Sequence, residues 1–453
     1  MSMNDFLAGD YLMQDVVICG QLLPKVSVRN LMMELNIYES IHTPYMSGNL
    51  IIRDTMNHRS NMSMTGQEEI EFTLATNDKS ERIDFTKFRG RIYKISDIIP
   101  TSAYEQVYTL HFVSMDAIRN TQTRVKSSHK GSPDQITDKV LKNILKTEKN
   151  FFVEPSSSFT HLLGNNRYPF EYMRMLANRS VSREHKSSGY LFFENHRGYN
   201  FCSRDRLYYE SANIPRESVD EFFTANQRPR VDTPTEMRTL LSYKIMTTQD
   251  TLRDNTNGLL NNTHYSYNRT DKSFSKNVSS YATYINNKTS KSGSPLYTET
   301  PEKNSDRLFD FPDATITVSS KDPYLHISSA TDEKDYSNAG VSYPDRLRNK
   351  SSYGIRVKIE LHGNSNIAAG DMITLNIPSH EPIANAQDEI YDVFLTGQYL
   401  VENLVHKVDN NRYITVAECT RNNVSTRYED NKSSIKDNIK NKASTPNAVI
   451  DRL

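Results

Sequence analysis

The chain has 453 residues, of which 36% are hydrophobic and 24% are charged, with 55 basic side chains balanced by 55 acidic ones. This length predicts about two to four domains of roughly 100–200 residues each. Zero formal charge excludes the broad basic surface of a nucleic-acid-binding protein, and the lack of any run near ~18 apolar residues excludes a helical membrane protein.

The start of the chain and its cysteines indicate cytosolic synthesis. Asp5 and Asp10 lie in an N-terminal segment without basic side chains, so the segment lacks the charged start of a secretory signal. Cys19, Cys202 and Cys419 lie far apart in apolar or strand-like stretches. Their spacing fits neither a disulfide framework nor a metal-binding motif, so we expect buried free thiols.

The chain up to about residue 115 has the pattern of successive strands. Residues 49–54, 70–74 and 107–113 are short runs rich in β-branched and aromatic side chains, and 70–74 alternates apolar with polar positions. Turn glycines precede these runs at Gly48, Gly66 and Gly90. The pattern predicts an antiparallel barrel or sandwich.

Residues 119–235 predict a small inserted α/β module. Residues 132–145 begin with a Ser-Pro-Asp-Gln capping sequence and continue with apolar residues at helical spacing, so they predict a helix. A second helix is predicted from Pro169. Residues 190–203 predict a hairpin with Gly198 at its turn.

The second half of the chain contains one weak region and one strong strand region. Residues 255–350 are rich in Asn, Ser, Thr, Lys and Tyr, so they predict either extended hairpins on a host domain or a flexible surface excursion. Residues 355–362 and 373–377 alternate apolar and polar side chains as strands with one buried face do. The polar residues 422–453 predict a mobile tail or a partner-docking arm.

Two blocks near the ends of the chain share a pattern. Residues 66–74 and 370–375 each run from a turn glycine through an acidic residue into an alternating strand, and a second glycine-led strand follows each block at Gly90 and Gly397. Two interpretations stay open. The two ends are copies of one β domain, or the likeness is a coincidence, since glycine before a strand is common in β proteins.

No catalytic or metal-binding motif with matched spacing occurs in the sequence. His42 and His58 flank Asp54 in the sequence. Two interpretations stay open: the three side chains form a proton relay or a metal site, or the histidines are ordinary polar loop residues. Cys202 lies near His196 in the sequence. Either the two form a thiol–imidazole pair, or Cys202 is a packed thiol in a strand. We predict a protein without enzymatic activity, cofactor or metal.

The tyrosines offer a further alternative. The chain has 26 tyrosines, including Tyr208 and Tyr209, and no tryptophan. Tyrosine rings stack on sugars and bases, but without a basic stripe an interface role is favoured.

Several segments carry a family likeness. The longest are residues 363–375, 394–406 and 411–415. Shorter segments in the same order are 38–41 with 48–54, 109–114 with 117–120, 192–194 with 198–201, and 241–243 with 250–252. Together they resemble the central hub subunit of the baseplate in T-even-like contractile-tailed bacteriophages. Residues 255–350 and the tail do not align.

The resemblance implies a mainly β fold with an α/β insertion, in which two tube-type antiparallel β-barrel domains carry inserted modules. The implied boundaries are 1–118 for the first barrel, 119–235 for the α/β module, 236–252 with 353–424 for the second barrel, 253–352 for a polar insertion, and 425–453 for the tail. The implied structural turn glycines are Gly48, Gly66, Gly90, Gly198, Gly363, Gly370 and Gly397.

The resemblance also implies a non-enzymatic homotrimer in the virion, made in the host cytoplasm. Three chains with two similar barrels each would form a ring of six near-equivalent units between a threefold spike and a sixfold tube. Implied partners are the central spike protein, tail tube or tube-initiator proteins, surrounding baseplate wedge proteins, and DNA in transit. A neutral wall suits a DNA conduit because it does not retain phosphates.

Three alternatives stay open. The first is the hub of a related injection machine, such as a tailocin or a type VI-like spike. The second is a tail-associated cell-wall hydrolase that uses His58, Asp54 or Cys202. The third is a carbohydrate-binding module in the Tyr-rich residues 255–350.

Overall fold

A computed structural model of the chain places most of its regular structure in β-strands, and the largest sheet has 13 strands. The predicted class, mainly β with an α/β insertion, is confirmed. The structure describes residues 8–20, 25–61, 63–77, 80–87, 89–157, 160–185, 187–209, 220–224, 236–247, 250–268, 272–280, 294–295, 315–321, 354–378, 391–392, 394–409, 412–421 and 423–424.

The first ten strands and a short helix form the N-terminal β domain around one apolar core, and we call this domain the first barrel. They are β1 (Leu12–Met13), β2 (Val17–Cys19), β3 (Val26–Ser27), β4 (Met32–Ser40), β5 (Ser47–Asp54), α1 (His58–Asn61), β6 (Glu69–Glu71), β7 (Thr73–Ala75), β8 (Ile83–Asp84), β9 (Gly90–Ser102) and β10 (Glu105–Ser114). A 3₁₀ turn, Arg29–Leu31, precedes β4. Seven strands lie in the order β4-β5-β10-β9-β6-β2-β3, with antiparallel neighbours.

Aromatic packing fills this first barrel. Phe72 and Phe85 stack with ring centroids 4.7 Å apart, and Phe112 meets both rings edge-on. A Cβ atom on Gly48 would lie 2.3 Å from Cζ of Phe112 and 2.6 Å from the carbonyl oxygen of Asn36. Glycine is therefore required inside β5, because β4 and β10 approach it too closely for any side chain.

The next elements form the α/β module. They are α2 (Met115–Gln122), β11 (Ser128–Gly131), α3 (Pro133–Lys139), a π-helical turn (Val140–Leu145), β12 (Phe151–Val153), β13 (Thr160–Leu163), α4 (Pro169–Ala177), β14 (Tyr190–Asn195), β15 (Gly198–Ser203) and α5 (Arg204–Tyr209). Both predicted helices and the predicted hairpin are confirmed. The predicted capping hydrogen bond is wrong, because the side chain of Ser132 makes no such bond at the start of α3.

The remaining elements include the C-terminal barrel. They are β16 (Asp220–Thr224), β17 (Thr239–Thr247), α6 (Thr251–Thr256), β18 (Asn261–Asn268), β19 (Phe274–Ser280), β20 (Ser294–Pro295), β21 (Ile316–Lys321), β22 (Ile355–His362), β23 (Met372–Asn376), β24 (Gly397–Asp409), β25 (Tyr413–Arg421) and β26 (Asn423–Val424). Six strands close into a barrel in the order β23-β16-β17-β22-β25-β24, since β24 also pairs with β23.

Strand β16 departs from the antiparallel expectation. It pairs in parallel with both β17 and β23, although its residues lie within the segment that the sequence analysis assigned to the α/β module. The predicted alternation in β22 is confirmed, because Ile355, Val357, Ile359 and Leu361 are buried and the residues between them are half-buried.

Only part of the polar region 255–350 lies within the described residues. There, β18 pairs antiparallel with β19 and parallel with β21 in a three-stranded sheet. The described part thus contains a hairpin, as one of the two alternatives expected. Most of the Tyr-rich insertion and residues 425–453 lie outside the described residues.

The two barrels repeat one strand order. In the first barrel the neighbours run β4-β5-β10-β9-β6, and in the second they run β17-β22-β25-β24-β23, with every pair antiparallel. In each set the first two strands along the chain are neighbours in the sheet. The third strand lies at the far end of the set, and the fourth and fifth strands fill the space back to the second. This shared connectivity favours duplication over coincidence.

Irregular details of the two barrels also match. The β4–β5 ladder has a bulge at Met33, and the β17–β22 ladder has one at the equivalent Leu241. The amide of Ile92 donates to the carbonyl of Glu68 at 2.9 Å, and the amide of Val401 donates to the carbonyl of Asp371 at 2.9 Å. A shared bulge is hard to obtain by chance, because it changes the register of a whole ladder.

The structural match corrects the sequence alignment of the two blocks by one residue. Glu68 corresponds to Asp371, and each carboxylate accepts a backbone amide from three residues upstream, Thr65 and Ala368 respectively. Gly370 therefore corresponds to the position after Gly66. The glycine can lie one residue earlier or later because the turn is stabilised by the carboxylate, which accepts a backbone amide in both blocks.

Candidate functional site at the junction of the barrels

Strand β24 belongs to both barrels. Its first residues pair with β23 inside the second barrel, and its residues from Asn403 to Asp409 pair antiparallel with β4 of the first barrel. Ser40 Oγ donates to Asn403 Oδ1 at 2.6 Å, and Lys407 Nζ lies 3.0 Å from Glu34 Oε2. The barrels are therefore joined edge to edge by main-chain hydrogen bonds within one chain.

A buried carboxylate, Glu402, lies at the bulge of β24 beside this junction. Its side chain is fully buried and accepts hydrogen bonds from Arg204 of α5 and from Thr420 Oγ1, the latter at 2.9 Å. Arg356 Nη2 lies 3.4 Å away. This group ties the α/β module to the second barrel, since Arg204 follows directly on β15.

The turn between β14 and β15 inserts where the barrels meet. Asn195 donates to the carbonyl of Ala369 at 3.0 Å. Arg197 donates to Glu81 at 2.6 Å and to Asp371 at 2.7 Å, and so bridges the first and second barrels. The turn therefore joins all three parts of the chain through buried, charge-assisted hydrogen bonds.

Glu194, just before this turn, anchors the module to the first barrel. Its carboxylate accepts the amide of Met46 at 3.0 Å and the hydroxyl of Ser114 at 2.7 Å, and it contacts Lys149. Gly198 has a φ of +138°, and a Cβ atom there would lie 2.1 Å from the carbonyl oxygen of Asn150. Only glycine fits this turn.

In the part of the chain that the structure describes, two strand edges at positions equivalent to the junction have no partner strand. By strand order, β9 corresponds to β24 and β17 to β4, and β9 and β24 both have 13 residues. Among the described residues, β9 beyond Ile92 pairs with β10 alone, and β17 beyond Leu240 pairs with β22 alone. Edges of this kind are templates for pairing with another chain.

Exposed apolar side chains lie along both free edges. On β9, Tyr93, Ile98 and Ile99 are 51%, 45% and 59% exposed, and on β17, Leu241 and Met246 are 45% and 43% exposed. Apolar side chains in such a row on two complementary edges indicate an interaction surface.

The predicted turn glycines fall into two groups. Those with positive φ are Gly66, Gly198, Gly370 and Gly397. Those held by close packing instead are Gly48, Gly90 and Gly363. At Gly363, for example, a Cβ atom would lie 2.0 Å from the ring of Tyr413.

The structure does not assemble the histidine and aspartate alternative. Asp54 accepts the backbone amides of Met56, His58 and Arg59 at 3.0–3.1 Å, so its carboxylate caps α1. His42 instead lies 3.6 Å from Glu402. Burial, together with the charge of nearby arginines, lowers the pKa of His42 to about 4.

The thiol–imidazole alternative does not form either. Cys202 is buried in an apolar cluster with Phe193 and Leu207, and Tyr208 packs against the same cluster. His196 directs its ring nitrogens at Glu39 and Glu81. The side chain of Tyr209 lies outside the described residues.

The buried cysteines should be unreactive in the folded protein. Burial raises the pKa of the Cys202 and Cys419 thiols, and only the thiolate reacts. At neutral pH we expect both to be alkylated at least about 100-fold more slowly than in denaturant. Pulsed iodoacetamide labelling with peptide mass spectrometry measures this, with the half-buried Cys19 as the internal comparison. Labelling of Cys202 at the denatured rate would restore the nucleophile alternative.

Sequence reasoning missed one cluster, which consists of Glu39, His196 and His406. One potential ligand atom from each residue lies within 4.8 Å of the others. No local motif could have indicated it, because the three residues come from three distant parts of the chain.

Comparisons with known proteins give structural likeness only. No protein-family model matches the chain, and no curated protein matches it. The 43 kDa tail protein of prophage MuSo2 from Shewanella oneidensis aligns at 9% identity with a TM-score of 0.49, covering 90% of this chain and 98% of that one.

Two further solved structures are similar. A tail protein from Neisseria meningitidis MC58 aligns at 10% identity with a TM-score of 0.49, covering 92% of this chain and 98% of that one. A chain of the lidded Francisella PdpA–VgrG complex aligns at 10% identity with a TM-score of 0.47, covering 94% of this chain and 55% of that one. TM-scores below 0.5 at such identities do not assign a function to this chain.

None of the helices among the described residues is long and apolar enough to cross a membrane.

Proposed function

We propose that the chain is a structural hub protein of a contractile phage tail baseplate. Three copies form a pseudo-sixfold ring that joins the central spike to the tail tube and forms part of the DNA conduit. The observation that carries the proposal is the junction between β24 and β4, together with the unpaired edges of β9 and β17 at the equivalent positions.

Duplication supplies the geometry of the ring. Within one chain, β24 of the second barrel pairs with β4 of the first. Between chains, β9 of one copy would pair with β17 of the next in the same way. Each copy then pairs through β9 with one neighbour and through β17 with the other. Such head-to-tail contacts generate a closed ring when the rotation between copies adds up to a full turn. The number of three copies comes from the resemblance to hub subunits.

The internal junction also specifies the register between copies. Inside the chain, Asp409 lies opposite Glu34. When the bulges are counted, Thr101 corresponds to Asp409 and Ser242 corresponds to Glu34. Thr101 of one copy therefore lies opposite Ser242 of the next. By the same correspondence, Ile99 lies opposite Lys244. This register covers exposed apolar side chains on both edges, which stabilises the contact.

The other parts of the proposal rest on the family resemblance. The boundaries are 1–118 and 236–252 with 353–424 for the barrels, 119–235 for the module except β16, which lies in the second barrel, 253–352 for the insertion and 425–453 for the tail. The partners are the spike, tail tube or tube-initiator proteins and wedge proteins, in the virion. The role is structural, without catalysis or a cofactor. The chain's zero formal charge supports passage of DNA, since it provides no broad basic surface to retain phosphates.

Disulfide cross-linking tests the proposed contact. The full-length Thr101→Cys, Ser242→Cys double variant should form covalent dimers and trimers on mild oxidation, because directly opposed strand residues have Cα atoms within disulfide range. Native mass spectrometry of the unmodified chain should give three copies, and electron microscopy should show six similar units around the axis.

The matched controls are the two single variants and the pair Thr101→Cys, Ser128→Cys, in which Ser128 is exposed on the α/β module. The proposal fails if the control pair cross-links as efficiently as the Thr101 and Ser242 pair. It also fails if the chain shows no six-unit ring, either alone or on its spike.

A further inference from the structure

A buried cluster of metal-ligating side chains lies at the point where the three parts of the chain meet. Glu39 is on β4, His196 is in the turn between β14 and β15, and His406 is on β24. The side chains of Glu39 and His196 are 0% and 2% exposed, and His406 is fully buried. One ligand atom from each lies within 4.8 Å of the others.

His406 has a ring nitrogen available for a ligand bond. Its Nδ1 lies 2.6 Å from the hydroxyl of Tyr413. Its Nε2 is buried and has no hydrogen-bond partner among the described residues. A buried polar atom without a partner is uncommon in native proteins and indicates a site for a water molecule or an ion.

The other two ligands are oriented by their remaining atoms. His196 Nε2 lies 3.3 Å from Glu81 Oε2, and Glu39 Oε2 accepts the amide of Ala369 at 3.0 Å. Histidines that bind metals usually contact a carboxylate, hydroxyl or carbonyl through the second ring nitrogen. Both histidines of this cluster have such a contact, through Glu81 and Tyr413.

The charges around the cluster also favour a cation. The carboxylates of Glu39, Glu81 and Asp371 converge on this region, whereas Arg197 is the cation that pairs with Glu81 and Asp371. With His196 protonated between Glu39 and Glu81, these three negative charges face two positive charges. A divalent cation in place of that proton would balance them, and buried charges are stable only when they are paired or bound to a metal.

We propose that Glu39, His196 and His406 bind one Zn²⁺ ion that joins the two barrels and the α/β module. Two imidazoles and one carboxylate are a usual zinc ligand set. The ion would take the place of the proton between His196 Nδ1 and Glu39 Oε1, which lie 2.9 Å apart. The site adds a structural link and does not depend on the proposed ring.

Metal content and zinc affinity of the full-length chain test this site. Elemental analysis after purification without chelator should give one zinc per chain. After chelation, competition with a chromophoric chelator should show that His406→Gln and Glu39→Gln each weaken zinc binding by at least about tenfold. The control His161→Gln, on β13 of the module, should leave the affinity unchanged.

A second measurement keeps the test decisive if the variants fold poorly. X-ray absorption of the zinc-loaded wild-type chain should show nitrogen and oxygen neighbours with imidazole scattering and no sulfur. Sulfur ligation, no zinc binding by the wild-type chain, or equal affinities in a folded His406→Gln variant and the wild type would overturn the proposal.

Discussion

Replacing Ile99 by lysine should convert the proposed three-copy assembly into single chains without unfolding them. Ile99 is 59% exposed on the free edge of β9, and in the proposed register it lies opposite Lys244 of the next copy. The variant loses about 1–2 kcal/mol of apolar burial at each contact, since Ile99 is already partly buried, and it places like charges directly opposite each other. Each contact should weaken by roughly tenfold to a hundredfold.

Light scattering during size-exclusion chromatography measures this change at micromolar concentration. The matched control is Leu163→Lys, because Leu163 is 64% exposed on β13 of the α/β module and should leave the mass unchanged. Adding Lys244→Glu to Ile99→Lys should restore assembly through an opposite-charge pair across the strands. An unchanged mass for Ile99→Lys, or a double variant that stays monomeric, would contradict the proposed register.

The Glu402→Gln variant should lose about 3–5 kcal/mol of stability, because it removes the negative charge of a buried ion pair. Glu402 is fully buried, and the side chain of Arg204 is 4% exposed. The melting temperature should fall by roughly 6–20 °C if the second barrel unfolds together with neighbouring parts of the chain as a unit of about 150–250 residues. Differential scanning calorimetry measures this shift.

A surface ion pair provides the comparison for Glu402. Arg53 and Glu105 lie 2.9 Å apart, but the side chain of Arg53 is 56% exposed, so Glu105→Gln should cost only about 0–1 kcal/mol. Replacing both Glu402 and Arg204 by methionine should recover part of the loss, since both charges of the buried pair are then removed. Equal melting temperatures for Glu402→Gln and Glu105→Gln would show that the buried pair does not stabilise the junction.

The junction also shows what the α/β module adds to a chain with two similar β domains. Two barrels joined only by β24 and β4 would share a single ladder. Arg197 adds ion pairs to Glu81 of the first barrel and Asp371 of the second, at 2.6 and 2.7 Å. These contacts hold the barrels in one relative orientation, and the proposed ring closes only if that orientation is constant.

Local patterns in the sequence were sufficient to predict several individual helices and strands. The alternation at 355–362 predicts β22, Pro133 marks the start of α3, and the glycine-led blocks predict that both ends of the chain contain similar strands. These features depend on side-chain period and turn chemistry within a few residues, so they can be read without the fold.

Only the tertiary structure decided which edges are paired and which buried charges meet. Strand β16 joins the second barrel in parallel, β24 pairs with β4, and Glu39 meets His196 and His406. Each of these contacts joins residues far apart in the chain, and its formation depends on how whole barrels pack. No local pattern encodes such a contact, because its energy appears only when desolvated groups from separate elements are brought together.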